Sequence, residues 1–295
     1  VSYRIGHDFR EFSPERGNPA LPGPKRPFIL LFLLLLLTLP GNSAGPLLPL
    51  GAAWGETILG TVTTVFDGDT VEVLLDTGRI EKVRYLMIDA PELHHPKREV
   101  EEFGLEAALA NRDLVLGKRV RLETDVQPRD RFGRLLAFVW IDRPNGSILV
   151  NEKLVEEGFA LPFTLPPNVR FAGRIRSAVY RARNGGKGFW GTAAGRLFTP
   201  KQVWADLPLL AGSFITLEMR VDGMTRFKTG WRLFEQGTRT ALVLYDEPPG
   251  LFGSIGELKG ARVRVLGKVQ ASYRGAEIPI SDPLQILSVF HPARP

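Results

Sequence analysis

The sequence predicts a mainly β chain of the α+β class: a five-stranded barrel with helices packed around it, then a second, smaller β-barrel. Three observations carry this. Between Leu59 and Ile88, segments rich in Val, Ile, Leu and Tyr are interleaved with polar residues and broken by turn dipeptides. One amphipathic stretch, Glu99 to Leu116, follows the third strand. From Phe214 onward short strands recur, separated by turn signals at Asp222-Gly223, Gln236-Gly237, Pro248-Pro249-Gly250 and Arg274-Gly275.

A chain of 295 residues fits two domains plus an export segment. With 44% apolar and 24% charged residues, a packed core is expected nearly throughout. A formal net charge of +6 suits a polyanionic partner, and basic surfaces also serve solubility. Residues 1–53 read as a leader and signal peptide. Lys25-Arg26 precedes an apolar run from Phe28 to Leu39 broken only by Thr38, shorter than the roughly 20 residues of a membrane span, and small residues follow. Cleavage is expected after Ala44 or Ala53, leaving Gly45 or Trp54 as the first residue of a secreted or cell-envelope protein with no stable membrane partner. An uncleaved N-terminal anchor is the alternative. The absence of cysteine means that this exported chain stands on its core, without disulfides.

Leu59 to Phe66 is the first strand and leads into the acidic turn Asp67-Gly68-Asp69-Thr70. Thr70 to Leu75 and Ile80 to Ile88 then pair about Thr77-Gly78, which supplies the positive φ of a tight hairpin. That pairing brings Asp69 at the start of one strand beside Asp89 at the end of the other. Two hard oxygen ligands, with no cysteine in the chain and no histidine nearer than His94, suit Ca²⁺ or Mg²⁺. Each piece also has a plain structural reading: Asp-Gly as an ordinary turn, Asp89-Ala90-Pro91-Glu92 as a strand end before a helix. The basic loop His94-His95-Pro96-Lys97-Arg98 is either solvated or touches substrate through Lys97 and Arg98.

In the helix from Glu99 to Leu116, Val100, Phe103, Ala107, Ala110 and Leu114 recur at helical spacing, and Gly117 caps it. Lys118 to Asp125 and Arg134 to Ile141 are strands, separated by the Arg129-Asp130-Arg131 turn. Five strands with a helix between the third and fourth is the order of an OB-type barrel. Helices over Asn151 to Glu157 and Asn168 to Asn184 pack around it, the second carrying an arginine run that reads first as a solvated face. Residues 54–191 therefore form the first domain, 192–208 a linker and 209–295 the second domain. A chain ending near Pro200 is expected to keep the chemistry of the first.

The ordered set Asp67-Gly68-Asp69-Thr70, Arg84 with Asp89-Ala90-Pro91-Glu92, His95-Pro96-Lys97-Arg98, Asp130-Arg131-Phe132-Gly133-Arg134-Leu135-Leu136-Ala137, and Asn151-Glu152 to Glu157-Gly158 resembles the staphylococcal nuclease (thermonuclease) family in order and spacing. The resemblance spans about Ile58 to Gly191. It implies that Asp69 and Asp89 are calcium carboxylates, that the Ala90 carbonyl is a further ligand, that Glu92 is the general base, and that Arg84 and Arg134 clamp phosphate. It further implies a calcium-dependent phosphodiesterase acting on DNA and RNA and leaving 3′-phosphate ends. The family commonly has threonine at Ala90 and tyrosine at Phe132 and in the Leu161 to Pro166 loop. Phe132 and Phe163 keep a stacking face and lose a hydroxyl donor, so nucleotide or end-group preference is the property affected.

The chemistry needs these residue types on its own account. A phosphodiester gains negative charge when attacked, so a cation and planar guanidinium forks stabilise it, and a nearby carboxylate can take the proton of the attacking water. In the second domain, the run from Gly260 to Val269 and its sequel from Tyr273 to Ile280 resemble nucleic-acid-binding OB domains, so residues 209–295 are expected to be an OB-like nucleic-acid-binding domain. Arg226, Lys228, Arg232, Arg239 and Arg274 lie there among Phe227, Trp231, Phe234, Tyr245 and Tyr273, a mixture suited to single-stranded nucleic acid, although such aromatics also fill barrel cores. The expected protein is a monomer with DNA and RNA as partners. A non-catalytic nucleic-acid-binding protein or a surface interaction module is the alternative. The joint presence of Asp69, Asp89, Glu92, Arg84 and Arg134 favours the enzyme.

Overall fold

The computed structural model describes residues 55–93, 101–246 and 249–291. The segment read as leader and signal peptide, and the loop carrying His94, His95, Lys97 and Arg98, lie outside the described residues.

In chain order the elements are β1 (Thr57–Val65), β2 (Thr70–Leu75), β3 (Ile80–Tyr85), β4 (Ile88–Asp89), α1 (Gly104–Val115), β5 (Arg119–Glu123), β6 (Leu135–Ile141), β7 (Ile148–Leu149), α2 (Val150–Glu156), β8 (Leu161–Pro162), α3 (Ala172–Asn184) and α4 (Phe189–Ala194). Strands β3, β2, β1, β5 and β6 pair antiparallel in that order, and a parallel pairing of β6 with β3 closes the five-stranded barrel. The hairpin forms as the sequence predicts: Gly78 takes φ 81° and its N–H donates to Leu75 O at 2.9 Å, setting Thr70 opposite Arg84.

The third strand is shorter than expected. It stops at Tyr85, Met87 turns through φ 64°, and Ile88–Asp89 pairs with Leu161–Pro162 instead. The cause is tertiary. The fully buried Asn151 donates from Nδ2 to Leu86 O at 2.8 Å and accepts the Val139 N–H on Oδ1 at 2.9 Å. One amide thus takes the polar groups that a continuing ladder would have paired. Helix α1 also begins later than expected, because Phe103 sits in the left-handed region and Glu101 caps a turn before it. Gly117 follows α1 at φ 70° as anticipated.

The arginines of α3 are largely spoken for. Arg181 reaches Glu152 at 2.9 Å and Glu156 at 2.7 Å on α2, Arg174 pairs with Glu152, and Arg183 donates to Leu287 O at 3.1 Å. The run therefore ties helices together.

Residues 192–208 are structured. Beyond α4 they form β9 (Leu197–Phe198), α5 (Pro200–Ala205) and the start of α6 (Leu207–Leu210); α5 opens with a Thr199–Gln202 capping box, and Val203 is fully buried. The rest comprises β10 (Phe214–Arg220), β11 (Gly223–Phe227), β12 (Gly230–Phe234), β13 (Thr240–Tyr245), a 3₁₀ turn at Ile255–Leu258, β14 (Arg262–Lys268), β15 (Gln270–Ser272), β16 (Gly275–Ile280) and β17 (Ile286–Phe290). They make two sheets, β17-β14-β10-β9 and β11-β12-β13-β16-β15. Leu217, Leu233, Leu242, Val263 and Ile278 fill the core of this C-terminal region. Phe214 and Leu266, however, belong to the first core, where Phe214 stacks on Phe189 with centroids 4.6 Å apart. Ending the chain near Pro200 would strip those side chains from the barrel it was expected to leave intact.

Asn151→Leu is expected to destabilise the protein by about 2–3 kcal/mol in urea unfolding, because the N–H of Val139 and the carbonyl of Leu86 lose a buried partner. A midpoint equal to the parent's would show that these groups find other partners.

Candidate active site

Three carboxylates and a guanidinium meet where β2 begins and β3 ends. Asp69 is 5% exposed. Its Oδ2 accepts the Ala90 N–H at 2.6 Å and lies 2.9 Å from Arg84 Nη1, while Arg84 Nη2 donates to Asp89 Oδ1 at 2.8 Å. The same Nη1 donates to the carbonyl of Ile88 at 2.9 Å. Arg84 thus bridges a shut-off carboxylate and one whose side chain is 52% exposed. The kink after β3 makes this possible, since it presents the Ile88 carbonyl and Asp89 to a residue four and five positions earlier.

The acidic turn is held from two sides. Asp67 Oδ1 accepts the Asp69 N–H at 2.9 Å, and the Asp67 carbonyl accepts from Asn111 Nδ2 at 2.9 Å. Asn111 Oδ1 in turn takes the Tyr85 hydroxyl at 2.9 Å. Sequence reasoning missed Asn111. The signal was available: it falls four residues after Ala107 on the apolar stripe of α1, where a polar side chain needs a buried partner. Gly68 is fixed by space, since a Cβ there would lie 2.6 Å from the Ala90 methyl and 2.7 Å from that of Ala107.

Burial pushes the Asp69 carboxyl well above the usual carboxylate range, with Asp67 and Asp89 adding to the rise while Arg84 and the Ala90 N–H oppose it. Burial alone would lower the Arg84 guanidinium, but Asp69 and Asp89 outweigh it and hold it above its ordinary value. Arg84 is thus the counter-charge to three nearby carboxylates, Asp69, Asp89 and Asp67. Among the described residues no three Asp, Glu, His or Cys side chains converge to enclose a cation unaided. Two hard carboxylates, a carbonyl and water nevertheless form a donor set that fits an oxygen-seeking divalent cation.

Beside this cluster opens a cleft of about 470 Å³ lined by Arg84, Asp89, Arg134, Phe132, Phe163 and Asn168, among others. The structure thus brings five of the expected site residues to one cavity. Arg134 Nε donates to Asp130 Oδ2 at 2.7 Å, and Asp130 Oδ1 caps the loop through the N–H groups of Phe132 and Arg134. Although burial opposes it, these bonds hold the Asp130 carboxyl below its ordinary range. Phe132 is 69% exposed, with the Arg131 and Arg134 guanidinium carbons 4.8 and 5.6 Å from its ring centre. Neither Asp69, which Arg84 contacts, nor Glu92 is among the described lining residues. The Glu92 N–H instead donates to Glu101 Oε2 at 2.7 Å. Lys97 and Arg98 fall outside the described residues.

The family model for staphylococcal nuclease homologues matches residues 82–192. The thermonuclease of Staphylococcus hyicus is 37% identical over 129 residues, which are 44% of this chain and 73% of that protein. The thermonuclease of Staphylococcus intermedius is 36% identical over 136 residues, 46% of this chain and 77% of that protein. The chain belongs to the staphylococcal nuclease family. Endonuclease YncB of Bacillus subtilis (strain 168) is a further relative, 33% identical over 132 residues, 44% of this chain and 60% of its own. The family-model match ends at residue 192, before the C-terminal β region whose Phe214 and Leu266 complete the first core.

Gly68→Ala tests the close approach on which the acidic turn depends. It is expected to cost about 1–3 kcal/mol in denaturant unfolding, and Ala90→Gly added to it should return part of the loss by removing one of the two facing methyls. An unchanged midpoint in Gly68→Ala would mean that the turn has room to move.

Proposed function

We propose that this nuclease of the thermonuclease type is exported, takes calcium as its cation, and hydrolyses phosphodiester bonds of DNA and RNA to leave 3′-phosphate ends. Its class as a hydrolase of nucleic acid rests on family membership. The observation that supports the finer reading is the cluster in which Arg84 bridges the buried Asp69 and the exposed Asp89 beside a cleft that also holds Arg134.

Each residue then has a role. Asp69 and Asp89, with the carbonyl of Ala90, would hold the cation, which when bound supplies positive charge to the phosphoryl oxygens. Arg84 and Arg134 present planar forks to those oxygens as charge builds. Glu92 accepts the proton of the attacking water. Phe132 offers an exposed ring for a base to stack on, and Lys97 and Arg98 are proposed to add phosphate contacts. Export rests on the apolar run from Phe28 to Leu39, and N-terminal sequencing of secreted protein should begin at Gly45 or Trp54.

We also assign the C-terminal β region a part in holding single strands. A second cavity, of about 280 Å³, shares Asp89 and Phe163 with the cleft and is walled on its far side by Tyr245, Gln270 and Ser281. Tyr245 is 42% exposed and stands edge-on to Phe227 at 6.1 Å. A strand leaving the cleft past Phe163 would meet this ring. Tyr245→Ala is expected to raise KM for long single strands about ten-fold, with KM for a dinucleotide-sized substrate unmoved. Equal KM values on long strands would remove the C-terminal region from the binding track.

The catalytic reading is tested by a calcium titration with kinetics at each point. Arg84→Lys and Glu92→Gln should each lower kcat by about 10²–10³ at saturating calcium, since lysine keeps the charge without the fork and an amide cannot take a proton. Asp69→Ala and Asp89→Ala should instead raise the calcium requirement and recover partly at high calcium. Magnesium should support little turnover, and a strong chelator should abolish it. If Arg84→Lys and Glu92→Gln both stay within a few-fold of the parent, the site is misassigned and a binding-only protein is the better reading.

A further inference from the structure

We propose that Lys268, on β14 of the C-terminal region, is a positioning residue for the nuclease reaction: it holds Glu101, and through Glu101 the backbone at Glu92. The proposal rests on the reading of Glu92 as the water-activating carboxylate.

The connection is direct. Glu92 and Glu101 bond to each other twice, the Glu92 N–H to Glu101 Oε2 at 2.7 Å and the Glu101 N–H to the Glu92 carbonyl at 3.0 Å. The oxygen that receives the Glu92 N–H also receives Nζ of Lys268. The Glu101 side chain is only 6% exposed and that of Lys268 only 16%. Burying a carboxylate so far from water is costly unless a counter-charge accompanies it. Lys268 supplies it from 167 residues further along the chain.

Both ends of this tie are set in packed, hydrogen-bonded structure. Lys268 stands opposite Phe214 in the β10–β14 ladder, and Phe214 is buried in the first core against Phe103 and Phe189. Glu102 adds a parallel set of bonds: its Oε2 accepts the Phe214 N–H at 2.8 Å, its Oε1 accepts from Arg196 at 2.7 Å, and its own N–H donates to Gly212 O at 3.1 Å. On the other side, Gly104 leaves no slack, since a Cβ there would lie 2.7 Å from the Glu92 carbonyl oxygen. The backbone that carries Glu92 is thus gripped between the start of α1 and a carboxylate fixed by the C-terminal region. A general base displaced by about 1 Å can cost about 10²-fold in rate, so the accuracy of this grip matters to turnover.

The test compares Lys268→Met, Lys268→Arg and Glu101→Gln/Lys268→Met in the full chain, at saturating calcium on single-stranded DNA, with thermal unfolding to establish that each is folded. Lys268→Met is expected to lower kcat about ten-fold with KM within about two-fold. Lys268→Arg should return to within about three-fold of the parent, because it keeps the counter-charge. The double variant should fall between the parent and Lys268→Met: the stranded buried charge is gone, an amide oxygen still accepts the Glu92 N–H, and the tie to β14 is lost. Lys268 also borders the second cavity, so a direct substrate contact would appear in KM instead.

The decisive measurement is a cycle with Glu92→Gln. A residue acting through Glu92 should change kcat little once Glu92 is already glutamine, whereas a general loss of integrity would multiply with it. Parental kcat in folded Lys268→Met overturns the proposal, as does a fully multiplicative cycle. If Lys268→Met fails to fold, the neutral double variant carries the test, and parental kcat there is equally fatal. Should Glu92→Gln itself be silent in an active parent, the reading of Glu92 fails first, and the two failures are told apart.

Discussion

Everything at this site follows from placing one carboxylate, Asp69, where water hardly reaches. A buried anion must be compensated or neutralised, and the surrounding fold does the first by several routes at once. Arg84 comes from the facing strand, the Ala90 N–H from the segment beyond the kink, and Asn111 of α1 fixes the turn that aims the carboxylate. Burial still dominates, and the Asp69 carboxyl is displaced upward despite Arg84. Beside the cluster opens a cleft with a second arginine, Arg134, the arrangement we read as a seat for a cation and a phosphate.

Much of this was legible in the chain because it is locally encoded. The hairpin about Gly78 and the left-handed Gly117 each depend on residues within a few positions, and they form as read; of the stripe expected on α1, Ala107 is buried within a helix that starts only at Gly104. What escaped was set from afar. Nothing in Leu86-Met87 announces a positive φ; the strand breaks because Asn151, 65 residues on, takes the Leu86 carbonyl. Residues 192–208 look like a linker by composition, yet Val203 is drawn into a core supplied by later strands. Strands β11, β15 and β17 lack the alternation that marks a half-buried strand, and pairing alone assigns them. Glu101 and Lys268 carry no motif at all.

The C-terminal β region consequently has two relations to the barrel before it. Through Phe214 and Leu266 it completes a hydrophobic core, a contribution to folding that any large apolar residue could make. Through Lys268 on Glu101 and Arg196 on Glu102, residues beyond the barrel also make directional polar contacts with it. A region that only tethered substrate would need neither.

The reciprocal bonds between Glu92 and Glu101 tie together two backbone positions nine residues apart. Such a tie separates the length of the sequence it spans from the geometry on its near side. Doubling a spanned segment adds only about 0.6 kcal/mol of closure entropy, so a change of length there bears little on the cluster at Asp69.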